Sequence, residues 1–248
     1  MKIHLVIQAR MNSSRLPNKV LKKIEDKTVL QHVIDRCYAS KHIDKITVAT
    51  TTNPLDDVLE KYCIENKLNY FRGSEENVLE RFYNSTINDK PDILIRITSD
   101  CPLIDVNIVD DMIDYFIENR LSFLQPKYSR GNNQTKMGGF PDGCNPQIFT
   151  YETLCKAYNC ATTAFDKEHV CPYMVRNCVT NEYVIPNTEQ YTNIDFSKLH
   201  LSLDTEDDYN HISDIFNHLY KRDQNFTIYD VLTMINSDPT NWTHPSAR

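Results

Sequence analysis

The sequence predicts an α/β fold, a single-domain, mostly parallel, Rossmann-like sheet flanked by helices. Short apolar runs rich in β-branched residues alternate with helix-like stretches, which is the pattern of a parallel sheet covered on both faces. A length of 248 residues suits one large α/β core better than two small ones. We therefore expect one domain spanning residues 1–248.

The first half of the chain has the clearest elements. The spacing of Val29, Val33 and Cys37 places one apolar stripe on a helix, and Asn53 followed by Pro54 has the form of a helix start. The predicted strands are residues 3–8, 45–49, 69–71 and 93–98. The predicted helices lie near residues 29–40, 54–66, 78–88 and 108–119.

The alternation breaks after residue 120. Residues 129–143 are rich in Gly, Asn and Pro, which predicts a long loop, an insertion near 126–144. Beyond it, the predicted strands are residues 145–149, 182–185 and 200–203. The predicted helices are residues 151–158, 206–220 and 228–236, the last two within a C-terminal helical segment, 205–248.

Charge and composition argue against several classes of protein. The net charge of -7 and the pI near 5.6 argue against a general nucleic-acid binder. The sequence has neither an apolar run that approaches the roughly 18 residues of a membrane span nor the form of a secretory signal at its start. The eight cysteines are scattered without a Cys-x-x-Cys pair, so we expect free thiols. We predict a cytoplasmic protein with no nucleic-acid or membrane partner.

A polar, basic loop follows the first predicted strand. Between residues 10 and 23 it carries no acidic residue and five cations: Arg10, Arg15, Lys19, Lys22 and Lys23. Ligands of α/β sheets bind at the carboxyl ends of strands, and loop N–H groups, serine hydroxyls, guanidiniums and an ammonium together suit a triphosphate. The alternative is a solvated surface turn. The loop is neither a Walker P-loop nor a G-x-G-x-x-G motif.

Two aspartates follow apolar runs that we predict to be strands. Asp100 comes after residues 93–97, and Asp204 comes after residues 201–203. Two carboxylates that separate strands deliver to one sheet edge form a suitable Mg²⁺ site, since this ion prefers oxygen ligands and completes its shell with phosphates and water. The alternative is a helix N-cap, which is the stronger interpretation for Asp105.

Several motifs resemble those of a known family. Ala9-Arg10-x-x-Ser13-x-Arg15-Leu16-Pro17-x-Lys19 is similar to the opening motif of the 3-deoxy-manno-octulosonate and acylneuraminate cytidylyltransferases, and above all to their relatives in spore-coat polysaccharide synthesis. The resemblance continues in collinear order over residues 1–215, through segments 73–82, 96–105, 141–143, 168–173 and 203–208. Asn12 and Asn18 stand where such relatives usually carry glycine, and asparagine is the non-glycine residue that best tolerates left-handed backbone.

The resemblance implies a Mg²⁺-dependent nucleotidyltransferase, a homodimer, that transfers CMP from CTP to a sugar or sugar-acid acceptor and releases pyrophosphate. The implied metal ligands are Asp100 and Asp204, and the implied catalytic residues are Arg10, Arg15, Lys19 and Asp100. The nucleotide-binding residues would be Gln8, Ala9, Arg10, Ser13, Ser14, Arg15, Lys19, Ser74, Asn77, Arg96 and Ser99. The acceptor-binding residues would be Asp142, Gly143, Glu168 and His169.

Structural roles and rival functions remain open. Ser74 and Asn77 precede a predicted helix and suit caps, Pro-Asp-Gly at 141–143 is an ordinary turn sequence, and a lone histidine is more often structural than catalytic. One rival is a guanylyltransferase acting on a sugar 1-phosphate. Another is a glycosyltransferase, although the Asp-x-Asp pair common in those enzymes is missing at Asp100. A third is a non-catalytic nucleotide-binding relative, which the asparagines at 12 and 18 make conceivable.

Overall fold

A seven-stranded sheet forms the centre of the part of the chain that the structure, a computed structural model, describes: residues 1–127, 141–178, 180–196 and 199–242. Its strands in spatial order are β5 (Asn69–Gly73), β4 (Lys45–Thr51), β1 (Ile3–Gln8), β6 (Ile93–Thr98), β8 (Gln147–Thr150), β7 (Phe123–Pro126) and β9 (Thr180–Tyr183). β1 runs parallel to β4 and β6, and β4 runs parallel to β5. β7 also runs parallel to β9, whereas β8 is antiparallel to both of its neighbours. Because most of the strand pairs are parallel, the predicted mostly parallel sheet is confirmed.

Helices cover both faces of this sheet. They are α1 (Val29–Tyr38), α2 (Asp57–Glu65), α3 (Val78–Thr86), α4 (Val106–Glu118), α5 (Tyr151–Cys160), α6 (Ala164–His169), α7 (Pro172–Asn177), α8 (Glu206–Leu219), α9 (Ile228–Ser237) and α10 (Pro239–Trp242). A short hairpin of β2 (Lys23–Ile24) and β3 (Lys27–Thr28) precedes α1. Thr205 and Thr227 start α8 and α9 with reciprocal capping boxes, which satisfy backbone N–H groups that a helix start leaves unpaired.

The alternation of β1 separates two apolar clusters. Ile3, Leu5 and Ile7 face one cluster, which also takes the apolar faces of α1, α4, α8 and α9. Val6 faces the other, which α3, α5 and α7 cover. β1 is a central strand buried on both faces, so its residues are mainly apolar at consecutive as well as alternate positions, which is why it was predictable from its sequence. The carboxyl end of β1 is thereby fixed in the middle of the sheet edge.

The second half of the chain departs from the prediction. Residues 200–203 do not form the predicted strand, because their only ladder contact among the described residues is one isolated parallel bridge between Asp142 and His200. The predicted strand at 182–185 lies two residues earlier, as β9, and β7, α6 and α7 were not predicted. Most of the predicted insertion near 126–144, including residues 128–140, lies outside the described residues.

Two further findings concern the cysteines and the helices. All eight cysteines are unpaired, as predicted. Over the described ranges, no helix combines the length and the apolar character needed to cross a bilayer.

Candidate active site

The loop after β1 is anchored to the sheet by a buried carboxylate. Asp56, 1% exposed, accepts hydrogen bonds from the backbone N–H of Met11 (2.7 Å) and of Thr51 (3.2 Å) through its two oxygens. Thr51 ends β4, so this one side chain ties the basic loop to the neighbouring strand. The loop therefore leaves the sheet edge along a fixed path and presents its polar side chains there.

The same loop turns back at Asn18. Its φ of 60° is left-handed, its N–H donates to the carbonyl of Met11 (3.3 Å), and its carbonyl accepts from the N–H of Leu21 (3.0 Å). Asparagine tolerates this conformation better than most residues with a Cβ. The predicted compatibility of asparagine with this loop is thus confirmed at Asn18, and the left-handed turn does not fall at Asn12. The turn at Asn18 directs the next residue, Lys19, into the sheet edge, where its side chain is 11% exposed.

Lys19 lies between the two predicted metal-binding aspartates. Its Nζ donates to Asp100 Oδ2 (2.8 Å), Asp204 Oδ1 (3.0 Å) and the carbonyl oxygen of Leu203 (2.8 Å). Burial opposes the charge on this lysine, but Asp100 and Asp204 outweigh burial and raise the pKa of Lys19. Burial likewise works against the charge on Asp100, and the neighbouring ammonium more than compensates, so the pKa of Asp100 is lowered. The site holds two carboxylates around one cation.

The segment before α8 is held beside Asp100 by its backbone. The N–H of Leu203 donates to the carbonyl of Asp100 (2.8 Å), and the N–H of Leu201 donates to the carbonyl of Asp142 (2.6 Å). These bonds are formed in place of the strand that the sequence predicted, and they hold the backbone next to Asp204 at the sheet edge. Asp204 does not cap α8, because Thr205 does, whereas Asp105 caps α4 as predicted by accepting from the N–H of Asn107 (2.9 Å).

A cleft of about 250 Å³ opens at this edge. Most of the predicted nucleotide, metal and acceptor residues share it, and its lining consists of Gln8, Ala9, Arg10, Ser13, Ser14, Arg15, Lys19, Val20, Val78, Arg81, Thr98, Ser99, Asp100, Glu168, His169 and Asp204. Arg15, half-exposed at its rim, pairs with Asp204 at 3.0 Å. One wall is the basic loop and another is the end of β6. Cations and carboxylates therefore line the same cleft.

Comparison with known proteins identifies the family. A family model described as cytidylyltransferase matches residues 4–231. The chain belongs to the cytidylyltransferase family. It is accordingly a nucleotidyltransferase, and this membership favours that reading of the cleft over a glycosyltransferase.

Individual relatives cover nearly all of this cytidylyltransferase. The spore coat polysaccharide biosynthesis protein SpsF of Bacillus subtilis is 29% identical over 242 residues, which are 96% of this chain and 95% of the relative. The structure of a cytidylyltransferase from Leptospira borgpetersenii matches with a TM-score of 0.86 at 30% identity, covering 100% of this chain and 99% of that one. The structure of a CMP:2-keto-3-deoxy-manno-octonic acid synthetase complexed with CTP matches with a TM-score of 0.62 at 14% identity over 88% and 99% of the two chains, a likeness of fold.

Ser74 and Asn77 are two of the three residues that were predicted to bind the nucleotide but lie outside the lining of the cleft. Ser74 Oγ accepts from the N–H of Asn77 (3.0 Å), and Asn77 Oδ1 accepts from the N–H of Glu80 (3.1 Å), so both side chains shape the start of α3. Glu75, which lies between them in the sequence, accepts from Asn53 Nδ2 (2.8 Å). Asn77 therefore caps α3, which was the alternative interpretation, and Ser74 supports the turn before this helix.

A second cavity meets the cleft at His169. Its volume is about 420 Å³, and its lining consists of Arg96, Gln125, Gln147, Phe165, His169, Cys171, Pro172, Val175 and Arg176. Arg96 was predicted to bind the nucleotide, but it lies in this cavity rather than in the cleft, and its Nη2 donates to Gln8 Oε1 at 2.9 Å. Phe165 is 59% exposed and packs against the ring of His169, with 4.5 Å between centroids.

The Pro-Asp-Gly segment lines neither of the two cavities. Asp142 Oδ2 is 2.9 Å from His200 Nδ1, and Oδ1 accepts from Asn145 Nδ2 (2.9 Å). Gly143 has a φ of 98° and packs directly against the backbone of Leu201 and Ser202. Neither Asp142 nor Gly143 lines the cavity that contains Glu168 and His169, so the four predicted acceptor residues do not form one cluster.

Sequence reasoning did not single out Arg81 or His200. Arg81 lies three residues after Val78, and the i, i+3 spacing that puts both on one helix face was the available signal. His200 bonds Asp142 and has its Nε2 3.1 Å from Ser202 Oγ and 4.0 Å from Asp204 Oδ2. Its hydrogen bond to Asp142 raises the pKa of His200. No sequence signal joined it to the aspartates, because residues 200–203 were taken for a plain strand.

Proposed function

We propose that this cytidylyltransferase transfers CMP from CTP to a sugar or sugar-acid acceptor, releases pyrophosphate, and uses Mg²⁺. The product would be an activated sugar for surface polysaccharide biosynthesis. One observation carries the proposal: the carboxylates of Asp100 and Asp204 both bond the ammonium of Lys19, so they favour positive charge at one point of the cleft. The loop that lines this cleft also supplies Arg10 and Arg15. The names of the relatives, a spore-coat polysaccharide protein and a sugar-acid synthetase bound to CTP, support the choice of substrates.

The donor set fits a hard divalent cation. Lys19 Nζ is within 3.0 Å of one oxygen from each aspartate, so this ammonium marks the point where both carboxylates favour positive charge. Among the described residues no cluster of three or more His, Cys, Asp or Glu side chains forms a ready-made cage. Mg²⁺ sites typically take one or two carboxylates and leave the remaining positions to phosphates and water, which matches the pair seen here.

Different residues of the cleft would act on different parts of the nucleotide during the reaction. An acceptor oxygen would attack the α-phosphate, a new P–O bond would form, and the bond between the α-phosphorus and the bridging oxygen would break as pyrophosphate leaves. Arg10 and Arg15 would bind the β- and γ-phosphates through charge-assisted hydrogen bonds, and Lys19 would donate to the leaving oxygens. A divalent cation on Asp100 and Asp204 would supply charge neutralisation at the phosphate oxygens.

We place the acceptor in the second cavity. His169 lines both spaces, so a molecule seated between Arg96 and Phe165 would reach the nucleotide cleft at that residue. The wall combines cationic and apolar side chains, which suits a sugar ring with polar substituents and one apolar face. Glu168, next to His169 in the lining of the cleft, is positioned to contact the same molecule.

The test is pyrophosphate release from CTP with Mg²⁺ and a panel of sugars and sugar acids. We expect turnover with at least one acceptor in the wild type and a loss of at least about 100-fold in kcat for Asp100→Asn, because charge stabilisation of the phosphates is removed. Asp111→Asn, an exposed aspartate on α4 outside the cleft, is the matched control. Near-normal release by Asp100→Asn, with a folded protein by circular dichroism, contradicts the proposal.

The alternatives give different results in the same assay. A guanylyltransferase would release pyrophosphate from GTP with a sugar 1-phosphate and not from CTP. A non-catalytic relative would release none, and its thermal stability would still increase with nucleotide if it binds one. The homodimer implied by the resemblance stays a prediction, and light scattering of the purified protein measures it.

A further inference from the structure

The chain passes from α6 to α7 through a strained turn at Val170. Its φ of 67° and ψ of -58° are those of a γ-turn with positive φ, the rarer and more strained of the two γ-turn forms. The N–H of Cys171 closes the turn by donating to the carbonyl oxygen of His169 (2.8 Å). Among the described residues with a positive φ, Val170 alone has a β-branched side chain, for which this backbone is a genuine outlier. Such a conformation persists only where the surrounding structure holds it.

The burial of Val170 opposes the strain. This side chain is 0% exposed and belongs to the apolar cluster that α3, α5 and α7 cover. The N–H of Val170 donates to the carbonyl oxygen of Asp166 (3.0 Å), and the carboxylate of Asp166 pairs with Arg176 on α7 (2.6 Å). Relaxation of the turn would move the isopropyl group, so the free energy of apolar burial favours the strained form.

The residues on both sides of the turn line the cavities. His169 lines the nucleotide cleft and the second cavity, and Cys171 lines the second cavity. Cys171 Sγ donates to Gln147 Oε1 (3.2 Å), and Arg96 Nη1 donates to the same oxygen (2.5 Å). Because a γ-turn reverses the chain within three residues, His169 and Cys171 reach one cavity although a single residue separates them. Relaxation of the turn would therefore displace His169 from the junction of the two cavities.

We propose that Val170 is a positioning residue for His169. Its burial keeps the turn in the strained form, and the turn fixes the imidazole where the two cavities meet. Val170 acts through His169, since Val170 itself lines neither cavity. Strained backbone clusters at functional sites, where it pre-organises the groups beside it. This inference rests on the proposed function, which places the acceptor at His169, and it adds the residue that holds His169 in place.

Urea denaturation of Val170→Ala and Val170→Gly measures the strain. The control pair is Val58→Ala and Val58→Gly, because Val58 is an exposed valine inside α2 and outside both cavities. We expect Val170→Gly to have a higher urea midpoint than Val170→Ala, since glycine adopts a positive φ without steric cost. At Val58 the order should be the reverse, since glycine weakens a helix relative to alanine. Alanine above glycine at both positions overturns the strained turn.

NMR spectroscopy measures the position of His169 without any substrate. Its ring packs against Phe165, with 4.5 Å between centroids, so the aromatic ring current shifts the imidazole proton signals of His169. Phe165→Leu removes this ring and identifies the shifted signals. We expect Val170→Ala to move them toward their positions in Phe165→Leu, while Val58→Ala leaves them unchanged. Signals that stay in place in folded Val170→Ala overturn the positioning role.

A double-mutant cycle on acceptor kinetics separates positioning from a general loss of structure. Val170→Ala should lower kcat/KM for the acceptor at least about 10-fold, because a small displacement of a substrate-positioning group is costly. In the His169→Ala background the same change should cost little more, because the two residues act through one group. Independent, additive losses overturn the role of Val170 and leave the proposed function standing. A wild type that releases no pyrophosphate removes the proposed function, and the denaturation and NMR results still decide whether Val170 positions His169.

Discussion

Gly143 controls where the segment before α8 lies, and Gly143→Ala tests this directly. A Cβ at this position would lie 2.1 Å from the carbonyl carbon of Leu201 and 2.3 Å from the nitrogen of Ser202, both backbone atoms that have no rotamer to change. The φ of 98° adds strain for any residue with a Cβ. Overpacking costs about 1–3 kcal/mol and the backbone conformation about 1 kcal/mol more. We therefore expect a loss of about 2–4 kcal/mol in the free energy of unfolding.

Urea denaturation followed by circular dichroism measures this loss, and Asn187→Ala is the control. Asn187 is exposed and also has a positive φ, 56°. Asn187→Ala therefore measures the free-energy cost of the backbone conformation without the steric clash that a Cβ at Gly143 would cause. Because the displaced segment carries Asp204, Gly143→Ala should also weaken Mg²⁺-dependent CTP binding. A destabilisation no larger than that of Asn187→Ala, with unchanged CTP binding, would refute the reasoning.

Three further substitutions test how the cleft and the sheet are held together. Lys19→Met should lower the melting temperature of the metal-free protein, because two carboxylates lose their shared cation, and added Mg²⁺ should restore more stability than it adds to the wild type. Asp56→Ala should cost about 3 kcal/mol in urea denaturation, since buried donors of the loop and β4 lose their acceptor, whereas exposed Asp57→Ala should cost under about 1 kcal/mol. Burial lowers the pKa of His4 from 6.5 to about 4, so its contribution to stability is present above pH 6.5 and lost as the pH falls toward 4. The wild type should therefore lose about 3 kcal/mol more than His4→Gln over that range in acid denaturation curves.

The elements that the sequence predicted well are those whose burial is decided locally. β1 and β6 have the predicted bounds, because each is a mainly apolar run, interrupted only by His4 or Arg96 and ended by a polar residue at the sheet edge. α8 begins at the predicted residue, where Thr205 and Asp208 form a capping box that the sequence displays. In these elements the residue pattern within one segment is enough to predict the structure, because the same face of the segment is buried whichever element packs against it.

The misassigned elements depend on partners distant in sequence. Residues 200–203 alternate like a strand, but the N–H groups of Leu201 and Leu203 donate to the carbonyls of Asp142 and Asp100 instead of to a neighbouring strand, and Gly143 makes the close approach possible. α6 and α7 have six residues each, too short for a helical period to be recognised. β7 ends in Pro126 beside the loop-like region, so its composition favoured a loop.

The candidate site likewise contains features that the sequence predicted and features that depend on distant partners. Asp100 and Asp204 were predicted to meet because both follow segments that end at one sheet edge, and in the structure both contact Lys19. The sequence placed Lys19 among the phosphate-binding cations, but its position between the carboxylates depends on the turn at Asn18. Arg81 was overlooked because only the packed structure reveals a guanidinium that is buried and incompletely bonded.

The central claim is that Asp100 and Asp204 together hold the divalent cation of a bound nucleotide. Electron paramagnetic resonance of Mn²⁺, titrated in the presence of CTP, measures this most directly when the wild type is compared with Asp204→Asn and with Asp207→Asn, an exposed neighbour on α8 outside the cleft. We expect Asp204→Asn to bind Mn²⁺ with CTP at least about 10-fold more weakly, while Asp207→Asn matches the wild type. Equal Mn²⁺ binding by Asp204→Asn and the wild type would contradict it.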